Sequence, residues 1–91
     1  MPLLDIAYRH ICAVRLKAQG VRHNIAMRFG QSVREMRHKL ALSQEALAAK
    51  ADIDRAFLSG IERGVENPTL FTIQAIADAL GTRIGELMSG I

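Results

Sequence analysis

The chain has few of the residues that build covalent or metal-bound frameworks. Cys12 is the single cysteine among 91 residues, which excludes an internal disulfide and suits a reducing cytoplasm. The three histidines, His10, His23 and His38, are scattered along the chain. With no second cysteine, they do not form the closely spaced set of ligands that a metal site needs. We therefore expect neither a metal nor a cofactor.

Long apolar runs are also missing. Although 49% of the residues are hydrophobic, no run approaches the roughly 18 apolar residues of a membrane-spanning helix. Basic residues interrupt the apolar ones near the N-terminus, which is unlike a secretory signal peptide. No nucleophile–base pair and no phosphate-binding loop is visible, and no segment alternates like a strand. These features argue against a membrane protein and an enzyme, and favour a cytoplasmic, all-α protein.

Charge is distributed unevenly along the chain. The formal net charge is +3. Residues 1–26 hold four basic residues and one acidic residue, whereas residues 27–91 hold eight of each. The high isoelectric point is therefore not in itself evidence that residues 27–91 bind nucleic acid. Any such binding has to rest on local clusters, which are Arg28, Arg34, Arg37 and Lys39, followed by Lys50, Arg55 and Arg63.

The middle of the chain predicts two short helices joined by a tight turn, over residues 43–51 and 54–63. Ser43 and Asp54 are their N-caps, and Gly64 is placed to end the second helix. Each cap is flanked by a hydrophobic staple, formed by Leu42 with Leu47 and by Ile53 with Leu58. This arrangement is typical of a helix-turn-helix, a unit that places its second helix in the major groove of DNA.

Three further helices are predicted around this pair. The first covers residues 29–40, the fourth begins after a cap at Thr69 and stops at Gly81, and a last short helix begins after a cap at Thr82. The predicted inward-facing residues of the first and fourth helices are Phe29, Val33, Met36 and Leu40, and then Ile73, Ile76, Ala77 and Leu80.

Three motifs follow one another along the chain, namely Ser43-Gln44-Glu45 with Leu47-Ala48, Ile61-Glu62-Arg63-Gly64 and Asn67-Pro68-Thr69-Leu70. With these motifs, the chain resembles the Cro/repressor-type helix-turn-helix regulators, the Xre family, from about residue 29 to residue 88. Ile53-Asp54-Arg55 and Ser59-Gly60-Ile61-Glu62-Arg63 are most similar to controller proteins of restriction–modification systems. Ala41 and Asp52 stand where this family usually has glycine. The resemblance implies a compact five-helix, lambda-repressor-like DNA-binding domain over residues 27–91.

The resemblance also implies a sequence-specific transcriptional regulator of double-stranded DNA. The residues expected to contact DNA are Gln44, Arg55, Ala56, Ser59, Gly60, Arg63 and Asn67. Arg55 is the best candidate for reading guanine, although it could instead pair with Asp52 or Asp54. Gly60 is expected to permit a close approach to the groove. Gln44 is expected to bind a phosphate and to brace the second helix of the motif.

Two further sets of residues follow from the resemblance. Arg37 and Glu62 are expected to form a buried ion pair that sets the angle between the first and third helices. Outward-facing apolar residues of the last two helices are expected to join two chains into a homodimer on a two-fold operator. The candidates for this interface are Phe71, Ile84, Leu87 and Met88.

An apolar stripe with heptad-like spacing precedes the domain. Its members are Leu4, Ala7, Ile11, Val14, Ala18, Val21 and Ile25. The spacing predicts an additional N-terminal helical segment over residues 1–26, with Gly20 as an interruption. We expect burial either against Phe29 and the last helices or against the same segment of a partner, for Leu4, Ile11, Val14 and Ile25. The segment could serve dimerisation or docking, or it could cover the domain's own core. If the natural start is Met27, it is non-native or dispensable.

Two other functions use the same fold. The antitoxin of a toxin–antitoxin pair would bind DNA in this way and hold the toxin with its N-terminal helix. A protein-interaction module would keep the helix-turn-helix but no longer touch DNA. Loss of DNA binding on substitution of Arg55 separates a regulator from such a module.

Overall fold

A computed structural model describes residues 25–89, which form five helices and no strand. The helices are α1 (residues 25–39), α2 (Gln44–Ala51), α3 (Arg55–Glu62), α4 (Leu70–Leu80) and α5 (Ile84–Leu87). The predicted all-α, five-helix fold is therefore confirmed. The division predicted after residue 26 falls inside α1. Residues 1–24, with all of the apolar stripe except Ile25, lie outside the described residues.

The core forms where one face of each helix meets the others. Its largest fully buried side chains are Val33, Leu47, Leu58, Ile61, Ile76 and Leu87. The second helix packs against both α3 and α4, and α4 also packs against α5. Phe29 is buried as predicted, whereas the inward placement of Leu40 is wrong: α1 ends one residue earlier, and Leu40 is 51% exposed.

Helix starts follow local hydrogen bonding. The hydroxyl of Ser43 accepts from the amide of Ala46 at 3.0 Å, and that of Thr69 accepts from the amide of Thr72 at 3.2 Å. Each bond satisfies one of the free amides in a first helical turn. The predicted caps of α2 and α4 are therefore confirmed.

The other two predicted caps need correction. Asp54 occupies the N-cap position of α3, but its side chain accepts no capping hydrogen bond. The N-cap of α5 is Arg83 rather than Thr82. The hydroxyl of Thr82 instead donates to Glu86 at 2.8 Å, an interaction that takes the place of a bond to the backbone.

Four helices end with a residue in the left-handed region. These residues and their φ angles are Ala41 (56°), Asp52 (54°), Gly64 (77°) and Gly81 (69°). At each end, the amide of this residue and the amide that follows it donate back to carbonyls of the last turn, which is the Schellman arrangement. Glycine adopts this conformation without steric cost. The helix ends at Ala41 and Asp52 therefore carry backbone strain that a glycine at the same position would avoid.

Gly30 allows α1 to lie against the backbone of α3. A Cβ atom at this position would lie 2.7 Å from the carbonyl oxygen of Glu62 and still closer to that of Ile61. Both distances are shorter than side chains tolerate, and the atoms involved belong to the backbone, which cannot move aside easily. The sequence pattern did not single out Gly30, because the atoms it must avoid come from a different helix.

The apolar residues considered for contacts between chains differ widely in exposure. The outward placement of Leu87 is wrong: it is 0% exposed, because the short α5 uses this side chain to close the core. Ile84 and Met88 are only partly buried and pack against the core. Ile25 is 43% exposed, so it is not buried against the core of its own chain, and its burial against a partner stays a prediction. Phe71, by contrast, is 89% exposed.

Among the described residues, no helix is both long and apolar enough to cross a bilayer.

Candidate DNA-binding surface

The second and third helices form the helix-turn-helix, with residues 52–54 as the turn. On α3, Leu58 and Ile61 point into the core as predicted, and both are at most 1% exposed. Arg55 and Ala56 are exposed on the first turn of the same helix. This amphipathic division leaves one face of α3 free to meet a ligand while the other face anchors the helix.

A single carboxylate joins three helices behind this face. Arg37 of α1 donates from Nε to Oε2 of Glu62 at 2.8 Å and from Nη2 to Oε1 at 2.9 Å. Gln44 of α2 donates from Nε2 to Oε1 of the same carboxylate at 3.2 Å. The third arm of the guanidinium, Nη1, donates to the carbonyl of Leu42 at 2.8 Å. The expected pair of Arg37 with Glu62 therefore forms, and the structure adds Gln44 to it, a residue that the resemblance had assigned only to a phosphate and to bracing the second helix of the motif.

Both charged members of this network are buried, and each supplies the counter-charge of the other. Arg37 and Glu62 are each 8% exposed, and paired, bidentate geometry is what allows both charges to leave water. The hydrogen bond from Arg37 to Glu62 holds the pKa of the guanidinium above its ordinary value, with the nearby negative charge adding to the effect and burial opposing it. A raised arginine pKa keeps the pair intact throughout the neutral range, since its stabilising effect is lost only as the pH rises through that raised pKa.

The remaining candidate contacts fall into two groups. Arg55, Ala56, Arg63 and Asn67 are exposed, whereas Gln44 and Ser59 are partly buried. Arg63 donates from Nε to the carbonyl of Ser59 at 3.4 Å. The pairing of Arg55 with a neighbouring aspartate does not form. Within residues 25–89, Arg37 with Glu62 is the only ion pair closer than 4.0 Å. The guanidinium of Arg55 is thus available to a ligand.

Gly60, which is expected to permit a close approach to the groove, is covered by another side chain of this protein. Gly60 is buried, and a Cβ at this position would lie 2.5 Å from Cγ of Glu66 and 3.2 Å from its Oε1. The side chain of Glu66, in the loop after α3, therefore covers Gly60. Sequence reasoning missed Glu66. The available signal was Gly64, because a left-handed residue after a helix turns the following chain back along it.

Comparisons with known proteins agree with this arrangement. A family model described as helix-turn-helix matches residues 33–87. Control protein C.MunI from a Mycoplasma species is 40% identical over 70 residues, which cover 76% of this chain and 95% of that protein. The crystal structure of the restriction–modification controller protein C.AhdI from Aeromonas hydrophila has 42% identity and a TM-score of 0.67, covering 68% of this chain and 94% of that one.

A third comparison includes DNA. The restriction–modification controller protein C.Esp1396I, solved as a tetramer in complex with its natural 35 base-pair operator, has 29% identity and a TM-score of 0.62. The match covers 65% of this chain and 78% of that one. The chain described here therefore belongs to the Xre-type helix-turn-helix family of DNA-binding transcription regulators.

Proposed function

We propose that this protein is a restriction–modification controller, a transcriptional regulator that binds a two-fold operator as a homodimer. The observation that carries the proposal is the fixed position of α3, whose outer residues Arg55 and Ala56 are exposed while Glu62 ties its far end to α1 and α2. The similarity to C.MunI and C.AhdI, which extends over nearly the whole of each, supports the specific role as a controller.

Base recognition is assigned to the first turn of α3. The guanidinium of Arg55 can donate two hydrogen bonds to O6 and N7 of one guanine, the commonest specific contact in the major groove. The methyl group of Ala56 can meet the methyl group of a thymine. Ser59, one turn further along and only partly buried, can reach a base edge or a phosphate with its hydroxyl.

Backbone contact is assigned to the start of α2. The amide nitrogen of Gln44 carries two hydrogens, of which one is engaged by Glu62, so the other remains for a phosphate oxygen. Free amides of the first turn of α2 add to the attraction for an anion. Arg63 and Asn67, both exposed beyond the other end of α3, are assigned to a second phosphate. Such contacts position the protein on DNA without reading its sequence.

Homodimerisation supplies the second recognition helix. One recognition helix gives too small an interface for tight and specific binding, whereas a two-fold pair with α3 helices about 34–36 Å apart spans one turn of DNA. Leu70 and Phe71, at the start of α4, are 76% and 89% exposed. Two large apolar side chains in that position support an interface between copies. Ile84 and Met88, which are partly exposed, can contribute at its margin.

The proposal can be tested with operator DNA selected by the wild-type protein from a random pool. Arg55→Ala should weaken operator binding by about 1–3 kcal/mol and relax the preference at one base position. Gln44→Ala should weaken binding to all sequences alike, because a phosphate contact carries no sequence information. Arg83→Ala, which removes an exposed arginine at the start of α5, is the charge-matched control.

Two results would overturn the proposal. In the first, the wild-type protein enriches no sequence from the pool. In the second, Arg55→Ala keeps both the wild-type affinity and the wild-type base preference while its circular dichroism shows a normal fold.

A further inference from the structure

Glu66 is positioned by the way the chain leaves α3. The amide of Gly64 donates to the carbonyl of Ile61, and the amide of Val65 donates to that of Gly60, both at 3.0 Å. These two bonds turn the chain back on itself at the left-handed Gly64. Glu66, the residue after Val65, therefore lies beside the helix instead of beyond its end, and its side chain lies over Gly60.

The face that Glu66 covers is the outer face of α3. Gly60 is two residues from Leu58 and two from Glu62, both of which are buried. Because each residue turns an α-helix by about 100°, Gly60 lies about 160° around the helix from both. Ala56 lies four residues before Gly60 and so on the same side of the helix. The carboxylate of Glu66 thus continues the row that Ala56 begins, and takes the place of a side chain that Gly60 lacks.

The chemistry of this carboxylate limits what it can recognise. An ionised carboxylate accepts hydrogen bonds and donates none. Among the base edges in the major groove, only the amino groups of cytosine and adenine are donors, and Glu is typically paired with the N4 amino group of cytosine. No cation of residues 25–89 lies within 4.0 Å of Glu66. The carboxylate is therefore not committed to a partner within that part of the chain.

We propose that Glu66 is a base-reading residue, held over Gly60 so that its carboxylate accepts a hydrogen bond from the N4 amino group of a cytosine. The inference rests on the proposed function, since it requires the outer face of α3 to enter the major groove. Arg55 supplies donors at one end of that face, and Glu66 supplies acceptors at the other. A carboxylate in the groove also repels phosphates, so binding to DNA without the cytosine is disfavoured.

Two variants test the proposal by different routes. Glu66→Ala removes the carboxylate. Gly60→Ala keeps Glu66 but places a methyl group where the side chain of Glu66 now lies. The Glu66 side chain then has to move away from α3. Alanine is otherwise more favourable than glycine within a helix. Both variants should lose the preference for cytosine at one base position, with affinity for the wild-type operator falling roughly 5- to 100-fold. That position should differ from the one relaxed by Arg55→Ala.

The control is Asp78→Ala, which removes one negative charge from the exposed side of α4, a helix that packs on α2 and α5. Base preferences of each variant are measured by selection from a random pool, and affinities by titration with labelled duplexes. The proposal fails if Glu66→Ala tightens binding to all duplexes equally without changing any preference, because Glu66 then acts only by repulsion. It also fails if Glu66→Ala matches Asp78→Ala. In either case, a normal effect of Arg55→Ala leaves the proposed function standing.

Discussion

Among single residues, Glu62 and Arg37 each take part in three hydrogen bonds of the buried network. The carboxylate of Glu62 accepts from Arg37 twice and from Gln44 once. The value of such a group lies less in the energy of the pair than in the penalty for breaking it, because a buried ion left without its partner cannot recover its lost hydration. The same carboxylate orients the side-chain amide of Gln44, which is proposed to contact DNA. A substitution of Glu62 should therefore affect both stability and DNA binding.

Glu62→Ala should lower the free energy of unfolding by about 3–5 kcal/mol, because Arg37 remains buried without a counter-charge. Urea denaturation followed by circular dichroism measures the change. Glu86→Ala is the matched control: within residues 25–89 that carboxylate accepts only from the hydroxyl of Thr82, at an exposed position, and its loss should stay within about 0.5 kcal/mol. A loss below about 1 kcal/mol for Glu62→Ala would show that the pair is not buried.

Gly30→Ala should destabilise the protein by about 1–3 kcal/mol, since the new methyl group meets carbonyl oxygens of α3 and forces α1 away from it. Gly85→Ala makes the same chemical change in α5, where a Cβ would have no neighbour within 4 Å. The melting temperatures of the two variants are compared. Gly85→Ala gives the effect of replacing glycine by alanine, and any further loss in Gly30→Ala reports the close contact between α1 and α3. Equal melting temperatures would contradict the close contact between α1 and α3.

At the scale of helices, the ends of α1 and α2 are the places where the sequence conflicts with the backbone. Ala41 and Asp52 both adopt left-handed conformations. The conformation costs an ordinary L-residue roughly 1–2 kcal/mol, and Asp tolerates it better than Ala because its short polar side chain can form local hydrogen bonds. The end of α1 is therefore the more strained of the two.

Ala41→Gly should raise the free energy of unfolding by about 0.5–1 kcal/mol, because the relief of strain exceeds the added freedom of the unfolded chain. Ala49→Gly is the control. Ala49 lies at an exposed position within α2, where glycine should instead cost about 1 kcal/mol. Chemical denaturation should show changes in the free energy of unfolding that are opposite in sign for the two variants. A loss of stability in Ala41→Gly would contradict the left-handed conformation at this residue.

The helices could be predicted well from sequence because their signals are local. Ser43 and Thr69 cap through residues three positions away, and Gly64 and Gly81 end helices through their own φ angles. Periodicity also placed Leu58 and Ile61 in the core, as the structure has them. In each case the information lies within about one helical turn of the residue concerned.

What the sequence did not predict depends on contacts between distant segments. Leu87 is buried because α5 closes the core, and a single helical turn is too short for periodicity to reveal which side faces inward. Gly60 is covered by the side chain of Glu66, so a position on the outer face of α3 became a buried one. The N-cap of α5 is Arg83 instead of Thr82, and the hydroxyl of Thr82 donates to the side chain of Glu86. Each of these features can be recognised only when the contacts of the folded chain are known.

For the molecule as a whole, the exposed residues Leu70 and Phe71 allow the proposed dimerisation to be tested without unfolding the chain. Phe71→Asp should preserve the helical content, because the side chain contributes little to the core, and should shift the protein from dimer to monomer. Leu87→Asp should instead unfold the protein, since it buries a carboxylate without a partner. Sedimentation velocity measures the mass, and circular dichroism measures the fold.

Gln31→Asp, which adds a negative charge at another exposed position on α1, is the control for the effect of charge alone and should keep the wild-type mass. A dimeric Phe71→Asp variant, or a wild-type protein that remains monomeric at tens of micromolar, would contradict the proposed interface.

The network at Glu62 has a consequence for the folding pathway. Arg37 and Glu62 are 25 positions apart, so their contact forms only when the chain has brought α1 back onto α3. Without α1, Glu62 would keep only the neutral amide of Gln44 as a side-chain partner and would meet water where Arg37 now lies, so the full energy of the network is gained only when all three helices are packed. We therefore expect the recognition surface and the packing of α1 to form in one cooperative transition.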